Sequence, residues 1–178
     1  MLFRSNAHPD NQRVGVIGLG TGTLAVWGKP GDSYHFYDIN PRVIEIAQSE
    51  FTYLKDSKAT IELSLGDARL SLEREPPHDF DVLAVDAFSS DAIPVHLITR
   101  EAMMVYLRHV KPNGAVVFHV TNRFLKLAPV VKQIADNLGL HAALIVDDAE
   151  ETSFSKTDRK STRLNSSHIQ KSRMPSSA

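Results

Sequence analysis

Six short apolar runs constrain this chain more than any other feature, because each reads as a strand and each is separated from the next by helical signals. They occupy residues 13–18, 34–38, 59–65, 80–86, 114–121 and 141–146. Runs such as Val-Gly-Val-Ile and Phe-Asp-Val-Leu-Ala-Val suit strands buried on both faces. Between them, Asn40-Pro41 supplies an N-cap and a proline at the first helical position for a helix over 42–51. Thr99 caps a helix reaching Val110 that Lys111-Pro-Asn-Gly114 ends, and a helix over 129–138 closes at Gly139. Alternating strands and helices predict a parallel sheet with helices on both faces, and ligands gathered at the strands' C-terminal ends.

The residues just after those strands carry the chemistry. Gly18-Leu-Gly-Thr-Gly22 follows the first strand and is expected to open a helix, the setting in which glycines let backbone approach a ligand. Asp38 ends the second strand, where a carboxylate can accept hydrogen bonds from ribose hydroxyls. Gly66-Asp67 follows the third strand, Asp86 the fourth and Asn122 the fifth. Polar groups in register on one rim predict a nucleoside-binding crevice. A dinucleotide loop would place its third glycine where Thr23 stands, so the glycine spacing suits an S-adenosyl ligand, which has no pyrophosphate.

Composition excludes several alternatives. A net charge of −1 over 178 residues disfavours nucleic-acid binding through a basic surface. No run approaches the roughly 18 apolar residues that span a bilayer, so no membrane contact is expected of this segment and a cytoplasmic location is the default. With no cysteine, thiolate nucleophiles, disulfides and cysteine-ligated zinc are ruled out. His96, His109, His119 and His141 share no metal-ligand spacing and are read as packing or solvent-facing residues, so no metal is expected. Met103, Met104, Tyr106 and Leu107 are read as core-facing helix residues, and Trp27 as packing. From about Asp158 onward the sequence is polar, basic and without hydrophobic period, which predicts a disordered tail over 158–178.

Val16-Ile-Gly-Leu-Gly-Thr-Gly22, Tyr37-Asp-Ile-Asn-Pro41, Gly66-Asp-Ala68 and Asp81-Val-Leu-Ala-Val-Asp-Ala-Phe-Ser-Ser-Asp91 together resemble the spermidine synthase family of polyamine aminopropyltransferases, in particular bacterial spermidine-synthase-like proteins. The resemblance covers nearly all of residues 13–148. It implies a Rossmann-like, S-adenosylmethionine-dependent methyltransferase fold, and transfer of an aminopropyl group from decarboxylated S-adenosylmethionine to a di- or polyamine such as putrescine. Gly18, Gly20, Thr21 and Gly22 would line the cofactor, Asp38 would bind its ribose, and Asp67 would face the adenine amino group. Asp86 matches the family's catalytic acid, and Asp91 its second loop aspartate. Ser89 and Ser90 are read as loop hydrogen-bonders.

That fold ends in a strand antiparallel to its neighbours, and the sequence is expected to lack it. The family's N-terminal β-domain, which supplies part of the amine pocket and oligomer contacts, is not recognisable either; a homodimer is an option for the full-length protein. Residues 2–5 and 158–178 resemble translated sequencing adapter, which would leave 6–157 as a catalytic domain cut at both ends. Thr21 stands where aminopropyltransferases commonly place an aspartate, so a methyltransferase using S-adenosylmethionine stays open as an alternative. So does a nucleoside-binding domain without turnover.

Overall fold

The computed structural model describes residues 11–87, 94–120, 126–146 and 167–169. Strands β1 (Arg13–Ile17), β2 (Ser33–Asp38), β3 (Thr60–Leu65), β4 (Phe80–Val85) and β5 (Val110–Phe118) form one sheet in the order β3-β2-β1-β4-β5. Every pairing in it is parallel. The chain builds outward from β1 to β3, then crosses back to lay β4 on β1's other side. A crevice therefore opens at the carboxyl ends of β1 and β4, where the strand order reverses.

The apolar runs bury both faces of this sheet. Val14, Val16, Tyr34 and Phe36 face one side, packing with Ala25, Ala47 and Leu54. Ile17, Tyr37, Leu83, Val85, Val116 and Phe118 belong to the opposite core, with Leu72, Tyr106 and Val131. Burying a side chain such as Phe36, which is 1% exposed, contributes on the order of 1.5–3 kcal/mol. Gly15 has no side chain because Leu83 and Phe80 fill that space; a Cβ there would stand 2.7 Å from each.

Helices α1 (Pro41–Ser49) and α4 (Arg100–His109) start as their caps dictate. The Asn40 side chain accepts from the Arg42 amide at 2.9 Å, and Thr99 Oγ1 from the Ala102 amide at 3.0 Å. The short α2 (Tyr53–Asp56) lies beside the glycine loop, and α5 (Leu127–Asn137) ends at Gly139, whose φ of 64° is left-handed.

Four features depart from the sequence-based reading. The glycine loop opens a single 3-10 turn, Thr23–Trp27, rather than an α-helix, since Gly28, Pro30 and Gly31 follow immediately. Trp27 and Met104, expected to pack, are 42% and 52% exposed. A helix not anticipated, α3 (Ala68–Arg74), begins at Asp67. Strand β5 starts at Val110, through the Lys-Pro-Asn-Gly stretch that reads as a turn, because its register on β4 slips: Phe80 faces Val110 and Val82 faces Ala115. Gly114 sits at this irregularity, where a Cβ would meet the carbonyls of Phe80 and Asp81 at 2.9 Å.

Beyond α5, β6 (Leu144–Val146) pairs antiparallel with β7 (Ser167–Ile169). Strand β7 also lies against β5. Three residues of the segment expected to be a disordered tail thus form, with β6, a two-stranded sheet separate from the main one. The physical reason is the unpaired backbone edge that β6 offers.

Candidate functional site

A cleft of about 470 Å³ opens at the strands' carboxyl ends. That volume lies in the range of about 300–1,000 Å³ typical of small-molecule sites. Ile17, Gly18 and Gly20 line it from β1, Tyr37 and Asp38 from β2, Gly66 and Asp67 after β3, and Asp86 after β4. Ile39, Val43 and Leu97 add apolar wall.

Gly18 is where β1 and β4 meet. Its φ is 98°, its amide donates to the Tyr37 carbonyl at 2.8 Å, and a Cβ would run into the Asp86 carbonyl. The Asp86 amide in turn donates to the Ile17 carbonyl at 2.8 Å. Only glycine permits this approach, which sets the backbone of Asp86 directly against the loop. Gly20 differs: its φ is 54° and a Cβ would meet nothing within 4 Å, so its backbone faces open space on the cleft wall.

Asp38 ties the glycine loop to the second strand. Oδ2 accepts from the Leu19 amide at 3.0 Å and Oδ1 from the Asn40 amide at 2.9 Å. An ionised carboxylate has about four lone-pair sites, so each oxygen keeps capacity for a ligand hydroxyl. Asp67 is similarly occupied: Oδ1 caps α3 by accepting from the Leu70 amide at 2.9 Å, and Oδ2 meets His96 Nε2 at 2.9 Å. Asp86 is 41% exposed through its side chain, and its Oδ1 lies 2.7 Å from His119 Nδ1.

The Tyr37 hydroxyl meets a polar pair, Glu75 and His78, neither of which lines the cleft. It donates to Glu75 Oε2 at 2.7 Å, which His78 Nε2 also meets at 2.8 Å. Burial pushes the Tyr37 phenol far above its usual value, with the Glu75 hydrogen bond adding to the effect. Tyr37, which lines the cleft, is therefore a neutral donor and not a base.

Of the residues singled out from sequence, the cleft brings together Gly18, Gly20, Asp38, Asp67 and Asp86. Thr21 and Gly22 do not line it. Thr21 Oγ1 pairs with Thr23 Oγ1 at 3.2 Å, and Gly22, φ 85°, lets Leu54 pack where a Cβ would stand. Asp91, Ser89, Ser90 and Asn122 lie outside the described residues. The sequence reading missed His96, which lines the cleft, and His119, which meets Asp86. Among the described residues no cluster of three or more histidines or acids has the geometry to hold a metal.

No family model matches the chain. Over 115 residues, 62% of its length, it is 31% identical to a polyamine aminopropyltransferase from Vibrio vulnificus (strain CMCP6). Its likeness is to the polyamine aminopropyltransferases. The match spans 38% of that relative. Among solved structures, the spermidine synthase from Thermotoga maritima superposes with a TM-score of 0.61 and 17% identity, covering 93% of this chain and 55% of that one. A spermidine synthase in complex with the transition-state analogue AdoDATO gives 0.57 and 18%, covering 93% and 54%. Precorrin-6y C5,15-methyltransferase from Geobacter metallireducens GS-15 gives 0.70 and 14%, covering 94% and 84%. At such identities these structures establish the fold alone, which is Rossmann-like.

Proposed function

We propose that the cleft takes decarboxylated S-adenosylmethionine and directs its aminopropyl group to a di- or polyamine such as putrescine. The observation that carries this reading is Asp86, a partly exposed carboxylate on the wall of the cleft that Gly18 and Gly20 also line. Further support comes from the polyamine aminopropyltransferase relative.

The residues present fit such a ligand. Gly20 leaves its backbone open, and Asp38 retains acceptor capacity for ribose hydroxyls. Asp67 would share its His96-facing oxygen with an adenine amino group. The bound sulfonium supplies an electron-poor carbon, whose bond to sulfur breaks as the amine nitrogen bonds to it and leaves a neutral thioether. Asp86 answers the protonation problem of the acceptor. Alkylamines titrate near the lysine value of about 10.4 and arrive as ammonium, which has no lone pair. The Asp86 carboxylate attracts that cation, orients it and accepts the proton whose departure frees the lone pair. Positioned proton acceptors of this kind contribute about 10²–10⁴-fold. Asp91 would hold the second ammonium of a diamine.

Methyl transfer from S-adenosylmethionine is the second reading. Thr21 favours it, since the loop offers no carboxylate for an aminopropyl ammonium at that position.

The test is incubation with decarboxylated S-adenosylmethionine and putrescine, following methylthioadenosine by chromatography in wild type and Asp86→Asn. The expected result is product from wild type, a rate about 10²–10⁴-fold lower in the variant, and cofactor binding retained. An Asp86→Asn variant as fast as wild type would sink the assignment of Asp86. Methylated amine formed from S-adenosylmethionine, with no aminopropyl product, would transfer the reading to methyl transfer.

A further inference from the structure

We infer that His119 is a positioning residue for Asp86, clamping one carboxylate oxygen so that the other is held toward the cleft. This rests on the reading that Asp86 handles the amine proton.

The clamp follows from sheet register. Val85 on β4 faces Phe118 on β5, and the pairing continues one residue past both strands, where the His119 amide donates to the Val85 carbonyl at 3.0 Å. Asp86 and His119 are the next residues in register, and their side chains meet at 2.7 Å between Oδ1 and Nδ1. That distance is typical of a charge-assisted hydrogen bond. An ionised carboxylate only accepts, so the proton of this bond belongs to His119 Nδ1.

The two partners are unequal. The Asp86 side chain is 41% exposed and lines the cleft; that of His119 is 25% exposed and is not among the lining residues. His119 therefore acts through Asp86 rather than on a ligand. A carboxylate at a strand end with no lateral partner would sample several rotamers. The hydrogen bond to an imidazole anchored on the neighbouring strand selects one of them and leaves Oδ2 for the substrate ammonium.

Side-chain geometry supplies a discriminating set of variants. The asparagine amide nitrogen lies as many bonds from Cβ as His Nδ1 does, so His119→Asn keeps the donor in place. His119→Gln carries its amide one bond further out, and His119→Leu has no donor. The assay is steady-state turnover with the donor that wild type uses, alongside ¹⁵N NMR of the histidine rings in ligand-free protein and a melting curve for each variant. Misplacing a reacting group by an ångström costs on the order of 10²-fold. His119→Leu and His119→Gln should accordingly lose kcat to about that extent with KM for the nucleoside unchanged, while His119→Asn retains most of the rate. In the ligand-free spectra, the His119 Nδ1 resonance should carry the signature of a proton shared with a carboxylate, and lose it in Asp86→Asn.

Wild-type kcat in His119→Leu, or equal damage in His119→Asn and His119→Leu, would overturn the inference. So would ring spectra that Asp86→Asn leaves unchanged. If wild type turns over neither donor, the functional reading fails, and the NMR comparison still decides whether the clamp on Asp86 exists.

Discussion

Replacing Gly18 with alanine should damage this protein out of proportion to the methyl group added. Two costs coincide there. A side chain at φ 98° is strained whatever the space around it, by about 1–2 kcal/mol for a left-handed L-residue. The new Cβ would also overlap the Asp86 carbonyl, with the carbonyl carbon at 2.8 Å and Ala87 Cα at 3.0 Å. Those are backbone atoms of the adjoining strand end, so they cannot swing aside as a flexible side chain would, and overpacking of this kind costs about 1–3 kcal/mol. The sum, about 2–5 kcal/mol, is a large share of the roughly 5–15 kcal/mol that stabilises a domain. At about 3–4 °C per kcal/mol for a domain of this size, Gly18→Ala should melt roughly 6–20 °C below wild type. Gly20→Ala is the internal control. Its φ is 54° but nothing stands within 4 Å of its Cβ, so only the strain of about 1–2 kcal/mol applies. Melting curves by circular dichroism for the three proteins make the comparison. Equal melting points for Gly18→Ala and Gly20→Ala would refute the claim that the loop and the Asp86 backbone are in enforced contact.

Acid should destabilise the fold before the carboxylates titrate. Burial lowers His35 and His109 from the ordinary histidine value of 6.5, so below that pH the unfolded chain binds protons that the folded chain resists. Their stabilising contribution is present above 6.5 and is lost as pH falls toward their folded values; a melting temperature unchanged between pH about 7.5 and about 5 would contradict this. Burial pushes Glu75 up, but hydrogen bonds from Tyr37 and His78 outweigh it and hold the carboxyl below its ordinary 4.5, so a second loss should begin only below that pH. Asp38→Ala would strand the part-buried Leu19 amide, costing about 1–3 kcal/mol, and should weaken nucleoside binding measured by calorimetry; unaltered affinity would remove Asp38 from the site.

Strands β1, β2, β4 and much of β5 were legible because each carries a run of residues that the sheet buries, and the caps of α1 and α4 because Asn40-Pro41 and Thr99 act on amides only two or three residues away. Local signals failed where a residue has two roles or its partner is distant. Asp67 reads as a ligand contact after a strand, yet one of its oxygens starts α3. Lys111-Pro-Asn-Gly114 reads as a turn, and a register slip on β4, not any local pattern, makes it strand. His119 reads as a packing or solvent-facing residue because its partner is 33 residues away in sequence. A histidine placed directly after a strand, beside a strand that ends in an aspartate, was the available clue. Gly22 carried the right spacing for a ligand loop, but its missing Cβ serves Leu54.

The central claim is that the cleft at the β1–β4 crossover takes a nucleoside sulfonium and presents its aminopropyl group to an amine held at Asp86. Calorimetric titration of the purified chain with decarboxylated S-adenosylmethionine and, separately, with S-adenosylmethionine tests it most directly. The account predicts saturable binding of both, tighter for the decarboxylated form. Preference for the carboxylated form would contradict aminopropyl transfer, and heat of dilution alone from both would contradict the cleft's assignment to a nucleoside.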